Sequence, residues 1–265
     1  MKNSRYLECL EADYRRLREV VPGHLEGRVP TCPEWSVDDL VRHVGEVYLH
    51  KTTAMREGAE PENWPPDYVK DAAAIELLDD AYRQLTGEFV TRDPAEPSGT
   101  WYGPDQTAGF WIRRMAQETV IHRIDAELGA RKQVTPVADD LAVDGIDELL
   151  KVFVSYSVSN WASYFTEALA DSPGHTFLIT AEATTASPTV SWLVTTAPGQ
   201  FTVEGGPGER ISGAVTPDVT VNGAPAAVLR WAWNRETPDE PSLVTIGGDA
   251  GALAEFQRCV VMATQ

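Results

Sequence analysis

The chain has 265 residues, of which 43% are hydrophobic and 23% are charged, a balance typical of a globular protein with a packed core. Its 40 acidic residues against 22 basic ones give a formal net charge of −18, which repels phosphate backbones and anionic membrane surfaces. We therefore expect neither nucleic acid nor a membrane as a partner. Because no signal-type segment follows Met1 and no apolar run approaches the roughly 18 residues of a membrane span, we expect a cytoplasmic protein.

The first half of the chain has the apolar periodicity of amphipathic helices. Ser36, with acidic residues directly after it, is a predicted helix N-cap, and the prolines between 59 and 68 predict a surface connection. The predicted helices cover residues 4–21, 36–58, 69–90 and 105–129. Helices of this length joined by loops favour an antiparallel four-helix bundle.

The second half changes character after a further predicted helix that begins near 136. Short runs rich in β-type residues alternate with turn residues, and helices flank them. The predicted strands are 176–180, 190–194, 201–203, 219–221 and 243–246, and the predicted helices are 224–234 and 250–262. The sequence therefore predicts an α+β protein, with a helical bundle at 1–150 and a smaller C-terminal α+β domain at 151–265.

A carboxylate and an imidazole lie one helical turn apart in the fourth predicted helix. Glu118 and His122 are four residues apart, so they project from the same face, the one that also carries Trp111 and Met115. This face points into the bundle, where an unpaired carboxylate would cost several kcal/mol. We therefore expect Glu118 to have a partner.

His43 is the predicted partner, because it lies at the edge of the apolar stripe of the second predicted helix. Two imidazoles and one carboxylate suit zinc or a similar divalent ion, and three protein ligands leave a position open for water or substrate. A Glu and a His one turn apart also occur on many helices as a surface pair or a local hydrogen bond. A second set, with Glu46 and His50 beside His43, is conceivable, although a solvated face suits these two residues better.

Two separated motifs resemble a known family. The pattern Cys-Pro-x-Trp-x-Val-x-x-Leu-x-x-His at 32–43, followed by Glu-Thr-x-x-His-Arg-x-Asp at 118–125, is similar to the mycothiol-dependent maleylpyruvate isomerase family. The segments 221–225 and 229–235 resemble the smaller domain of that family. The resemblance covers nearly the whole chain and implies a DinB-like metal-binding bundle followed by an α/β domain related in shape to sterol carrier proteins.

The resemblance also implies site residues. It makes His43, Glu118 and His122 the ligands of a divalent metal, usually zinc, and associates Arg235 with activity; a surface arginine complementing a helix end is the other interpretation of Arg235. Gln117 departs from the family pattern, in which this position is often His. Arg123 and Asp125 match the pattern and are expected to support the ligands or the fold.

The implied function is that of a metal-dependent enzyme that uses mycothiol as a thiol cosubstrate. The metal would favour the thiolate, and the thiolate would add to a cis double bond of a small electrophile, which would then rotate and eliminate as the trans isomer. A mycothiol S-transferase, a thiol-independent metalloenzyme of secondary metabolism and a non-enzymatic metal-binding or ligand-binding module remain alternatives. We expect a monomer or a homodimer.

Overall fold

The computed structural model describes residues 1–213, 216–237 and 240–264. The chain divides into two compact units, Met1–Thr135 and Pro136–Gln265. The first is helical and the second contains a sheet, as predicted. The predicted domain boundary at 150 falls inside the second unit, because the helical segment that starts at Asp139 packs against elements of that unit.

The helices of the first unit form the predicted bundle. Helix α2 packs against α4 and α5, and α1 packs against α5. The helices are α1 (Asn3–Val20), α2 (Val37–Glu57), α3 (Asp67–Asp71), α4 (Ala74–Thr91) and α5 (Ala108–Gly129). Helix α5 is buried on nearly every side, which is the position of a central helix.

The ends of α2 have the predicted caps. The Ser36 side chain accepts a hydrogen bond from the Asp39 backbone N–H, and the Asp39 carboxylate accepts one from the Ser36 backbone in return. Gly58 ends the helix with a left-handed φ of 71°, which glycine adopts without steric cost. These caps set the start and the end of the helix that carries His43.

Two local features differ from the sequence prediction. The helix predicted at 69–90 is divided into α3 and α4 by extended residues at Ala72 and Ala73. The guanidinium of Arg42 donates to the carbonyl oxygens of Val69 and Ala72, and these bonds satisfy the end of the short helix. The loop predicted before α2 contains an antiparallel hairpin of β1 (Arg28–Val29) and β2 (Cys32–Ser36).

The second unit places helices against a mixed sheet. Helix α6 (Asp139–Asp147) continues as a π-helical segment (Glu148–Ser155) and α7 (Tyr156–Asn160), and short turns of helix at Ala162–Phe165 and α8 (Thr166–Leu169) follow. The strands, in the sheet order β5-β4-β3-β6-β7, are β3 (His175–Ala181), β4 (Val190–Ala197), β5 (Gln200–Gly205), β6 (Val219–Gly223) and β7 (Thr245–Gly248). Strands β3 and β6 are parallel and the other neighbours antiparallel. Helices α9 (Pro225–Ala232) and α10 (Ala250–Ala263) complete the unit.

Among the helices in the described ranges, none combines the length and the apolar character that a membrane crossing would need.

Candidate metal centre

Helices α2 and α5 bring His43, Glu118 and His122 together. The Nε2 atom of His43 lies 3.4 Å from Glu118 Oε1, and the Nε2 atom of His122 lies 3.2 Å from the same oxygen. One potential ligand atom from each residue lies within 4.8 Å of the other two. The sequence prediction that these residues meet is therefore matched by the geometry, although 75 residues separate the first two along the chain.

The spacing of these atoms fits a divalent ion. A tetrahedral zinc ion with bonds of about 2.0–2.1 Å holds its ligand atoms about 3.3–3.4 Å apart. The two imidazole-to-carboxylate distances are close to this value before any ion is considered. Nitrogen and carboxylate donors are also the types that zinc prefers, and three of them leave a fourth position open.

Asp125 orients the imidazole of His122. Its Oδ2 atom lies 3.0 Å from His122 Nδ1, and its Oδ1 atom accepts a 2.5 Å hydrogen bond from the Thr31 hydroxyl. A carboxylate acceptor at Nδ1 favours the proton on that nitrogen, which leaves the lone pair of a neutral ring on Nε2. Once it has lost its second proton, His122 would thus present the Nε2 lone pair to the centre of the triad.

Arg114 occupies the other oxygen of Glu118. Its guanidinium forms a short hydrogen bond with Oε2, one turn back along α5, and its side chain is 5% exposed. Because Oε2 accepts this bond, Oε1 is the oxygen that faces both imidazoles. The pairing favours ligation of an ion through one carboxylate oxygen.

Trp35, on β2, packs beside both histidines. Its ring centroid lies 4.8 Å from that of His43 and 6.5 Å from that of His122. The side chain of His43 is 36% exposed, whereas those of Glu118 and His122 are 14% and 10% exposed. The triad is therefore open to solvent on the His43 side and enclosed on the α5 side.

Burial and charge act in opposite directions on the two α5 residues. Burial raises the pKa of Glu118, but the charges of His122 and Arg114 and the imidazole hydrogen bonds outweigh it and hold the pKa well below 4.5. Burial lowers the pKa of His122, yet Glu118 and Asp125 together raise it to about 9. In the metal-free protein, His122 is accordingly protonated at neutral pH.

This protonation predicts a pH-dependent metal affinity. An ion must displace the His122 proton, so we expect zinc binding at pH 7.5 to release about one proton from this residue, and the apparent affinity to fall roughly tenfold per pH unit below 9. Titration calorimetry in buffers of different ionisation enthalpy measures the released proton. An affinity that stays constant between pH 6.5 and 9 would contradict the prediction.

The same raised pKa has a consequence for the metal-free protein. Protonated His122 contributes stability that is complete below pH 6.5, its ordinary pKa, and is lost as the pH rises through 9. Thermal unfolding of the metal-free protein across that range provides an independent measurement of the same proton.

The other predicted site residues lie elsewhere. His50 Nε2 is 3.3 Å from Glu60 Oε2, and the His50 ring meets Trp64 edge-on, so these contacts are with residues outside the triad. Arg235 follows α9 in the second unit, where its guanidinium donates to the Trp233 carbonyl oxygen at 2.7 Å. A catalytic role for Arg235 stays a prediction. Gln117 is buried on α5.

Three residues beside the triad were not predicted as part of the site: Thr31, Trp35 and Arg114. Arg114 had a detectable signal, because it lies four residues before Glu118 and such i,i+4 pairs of opposite charge attract. Trp35 stands in the motif at 32–43, but its contact with both imidazoles depends on the hairpin. The Thr31 contact with Asp125 spans 94 residues and has no local signature.

Comparison with known proteins gives two family matches that together span most of the chain. Residues 7–127 match the "Mycothiol maleylpyruvate isomerase N-terminal domain" and residues 140–255 match the "MDMPI C-terminal domain". No curated protein shows a significant match.

Solved structures give a fold-level match. A crystal structure of the mycothiol-dependent maleylpyruvate isomerase and one of its histidine-to-alanine variant both superpose with a TM-score of 0.58 at 15% sequence identity. The match covers 94% of this chain and 95% of each of theirs. At this level of identity the likeness establishes the fold.

Proposed function

The chain belongs to the mycothiol maleylpyruvate isomerase family, and from this premise we propose that it is a metal-dependent, mycothiol-dependent enzyme that isomerises the cis double bond of a small electrophilic acid. The proposed metal ligands are His43, Glu118 and His122, and zinc is the proposed ion. The observation that supports the proposal is the convergence of these donor atoms: the two imidazole-to-carboxylate distances are close to those around a tetrahedral zinc ion, and all three atoms lie within 4.8 Å of one another.

The bound ion would supply one property, an affinity for the sulfur of a small thiol that lowers the thiol pKa and favours the thiolate. The protein supplies the orientation of the ligands: Asp125 sets the tautomer of His122, and Arg114 holds one oxygen of Glu118. Trp35 packs beside His43. These contacts keep the ligand atoms in place before substrate arrives, which lowers the reorganisation that the reaction requires.

The proposed reaction balances without an oxidant or reductant. The thiolate adds to one carbon of the cis double bond, and the electron pair moves onto the conjugated carbonyl. Rotation about the resulting single bond follows, and elimination of the thiolate restores the double bond in the trans form. The thiol is regenerated, so a catalytic amount is sufficient.

Arg235 is the proposed residue for a substrate carboxylate. A guanidinium binds a carboxylate through two parallel hydrogen bonds, which a lysine does not reproduce. In the structure the Nη1 atom of Arg235 donates a hydrogen bond to the Trp233 carbonyl oxygen.

A thiol-dependence assay tests the function. We expect the zinc-loaded protein to convert maleylpyruvate to its trans isomer with mycothiol present in substoichiometric amount and recovered at the end. Consumption of one thiol per product would identify an S-transferase instead, and turnover without thiol would identify a thiol-independent metalloenzyme. Zinc binding without turnover of any electrophile would indicate a non-enzymatic binding module and overturn the proposal.

A further inference from the structure

A half-buried lysine of α2 lies against a ring of α5, and these are the two helices that carry the triad. The ammonium group of Lys51 lies 4.8 Å from the ring centroid of Trp111, a fully buried side chain of α5. The Lys51 side chain is 17% exposed. A surface lysine normally extends its charged end into water, whereas this ammonium is held against a buried aromatic ring.

The position of this cation relative to the triad follows from helix geometry. Lys51 is eight residues beyond His43 on α2, and Trp111 is seven residues before Glu118 on α5. These separations correspond to about 12 Å and about 10 Å along the two axes, so the helices run antiparallel and the Lys51–Trp111 pair lies two turns from the triad. The carboxylate of Glu118 raises the pKa of Lys51, so the charge of the triad acts on this ammonium.

The ion pair between the Lys51 ammonium and its partner Glu60 is long. Both carboxylate oxygens of Glu60 lie 3.5 Å from Lys51 Nζ, whereas a strong ammonium–carboxylate hydrogen bond is about 2.7–2.9 Å long. Glu60 belongs to the proline-containing connection after α2, and its side chain is 40% exposed. Burial lowers the pKa of Lys51, and the nearby carboxylates of Glu60 and Glu118 act in the opposite direction. A carboxylate that binds closer than Glu60 would compensate the burial of this cation better.

We propose that Lys51, held over Trp111, binds a substrate carboxylate remote from the reacting double bond, in competition with Glu60, and so selects anionic substrates. This inference rests on the proposed function and assigns to the helical unit a carboxylate-binding group in addition to Arg235. The ammonium of Lys51 lies over the Trp111 ring, and its charge is the part that a substrate carboxylate would bind.

Three substitutions separate charge from packing. Lys51→Met keeps an unbranched stem over Trp111 and removes the charge, Lys51→Arg keeps the charge, and Glu60→Gln removes the competing anion. Lys70→Met is the matched control, because it removes the same charge from an exposed lysine of α3 that pairs with Asp67.

Two measurements apply to each variant after zinc loading. The first is the Kd of succinate, an unreactive dicarboxylate, by titration calorimetry. The second is the KM of a cis-unsaturated dicarboxylate substrate divided by that of its methyl ester at the remote carboxylate. We expect Lys51→Met to raise the Kd of succinate and this KM ratio about tenfold or more each. This is the range for the loss of a hydrogen bond to a charged group.

The remaining variants should follow the charge. Lys51→Arg should retain most of the succinate affinity, Glu60→Gln should strengthen it about two- to threefold, and Lys70→Met should match the parent protein. A Lys51→Met protein with unchanged succinate Kd and KM ratio, or a parent protein that does not bind succinate, would overturn the inference. The succinate measurement needs no turnover, so a failure of the isomerase proposal in the thiol assay is distinguishable from a failure of the Lys51 proposal.

Discussion

Replacement of His122 by alanine should remove the bound metal and lower activity by more than about 100-fold. His122 supplies one of three donor atoms, and its removal leaves His43 and Glu118 with a spacing that suits an ion but too few ligands to retain it. Loss of a group that merely supports a metal ligand already costs about 10- to 100-fold in affinity, so loss of a ligand should cost more. Elemental analysis of the purified variant, together with the mycothiol assay, measures both effects.

His50→Gln is the control for this variant. His50 is a second half-buried histidine of the bundle, and it contacts Glu60 and Trp64. We expect this variant to retain one zinc ion per chain. Full metal content and full activity in His122→Ala would contradict the assignment of the triad as the metal site. Loss of zinc in His50→Gln would instead favour the alternative ligand set of His43, Glu46 and His50.

Replacement of Arg123 by alanine should lower the free energy of unfolding by about 3–5 kcal/mol, the range for removing one partner of a buried ion pair. The Arg123 side chain is 1% exposed and donates to Asp13 of α1 and to Glu127, whose side chain is 0% exposed. It also donates to the Thr135 carbonyl oxygen. Alanine would leave two carboxylates with one fewer cation and open a cavity between α1 and α5.

Chemical denaturation of the full chain measures this effect, and Arg5→Ala is the control. Arg5 pairs with Glu8 on the exposed surface of α1, where an ion pair contributes at most about 1 kcal/mol. Because the partners of Arg123 are Asp13, Glu127 and Thr135 and none is a residue of the triad, the folded Arg123→Ala protein should still bind zinc. A loss of stability below 1 kcal/mol would contradict the structural role, and loss of zinc from the folded variant would show that Arg123 also supports the site.

Much of the fold follows from local sequence. The caps of α2 depend on Ser36, Asp39 and Gly58, which lie within or next to this helix. Such local hydrogen bonds can be predicted from the sequence without knowledge of the tertiary structure. The same holds for the one-turn spacing of Glu118 and His122 on α5, since helical periodicity alone puts both on one face. The β-type runs of the second unit became strands at nearly the predicted positions for the same reason.

Residues that interact across the bundle were less accessible to sequence reasoning. The side chain of Arg42 ends α3 by donating to carbonyl groups about 30 residues away, and no residue near Ala72 predicts that break. The start of the second unit at Pro136 likewise depends on what the following helix packs against. The apolar periodicity of the sequence continues through such positions, whereas in the folded protein a helix or a unit ends there.

For the site, the sequence by itself determined the residue types and the face on which each one lies, because both depend on helix geometry and on the cost of burying an unpaired carboxylate. Only the tertiary structure decided the distances of 3.2 and 3.4 Å to one oxygen of Glu118, the bond from Thr31 through Asp125 to His122, and the position of Lys51 over Trp111. Each of these contacts joins segments that are distant in the chain, and the packing of α2 and the hairpin against α5 sets their separation. A ligand set is therefore readable from periodicity and motif, but its coordination geometry and its neighbouring charges depend on how the helices pack.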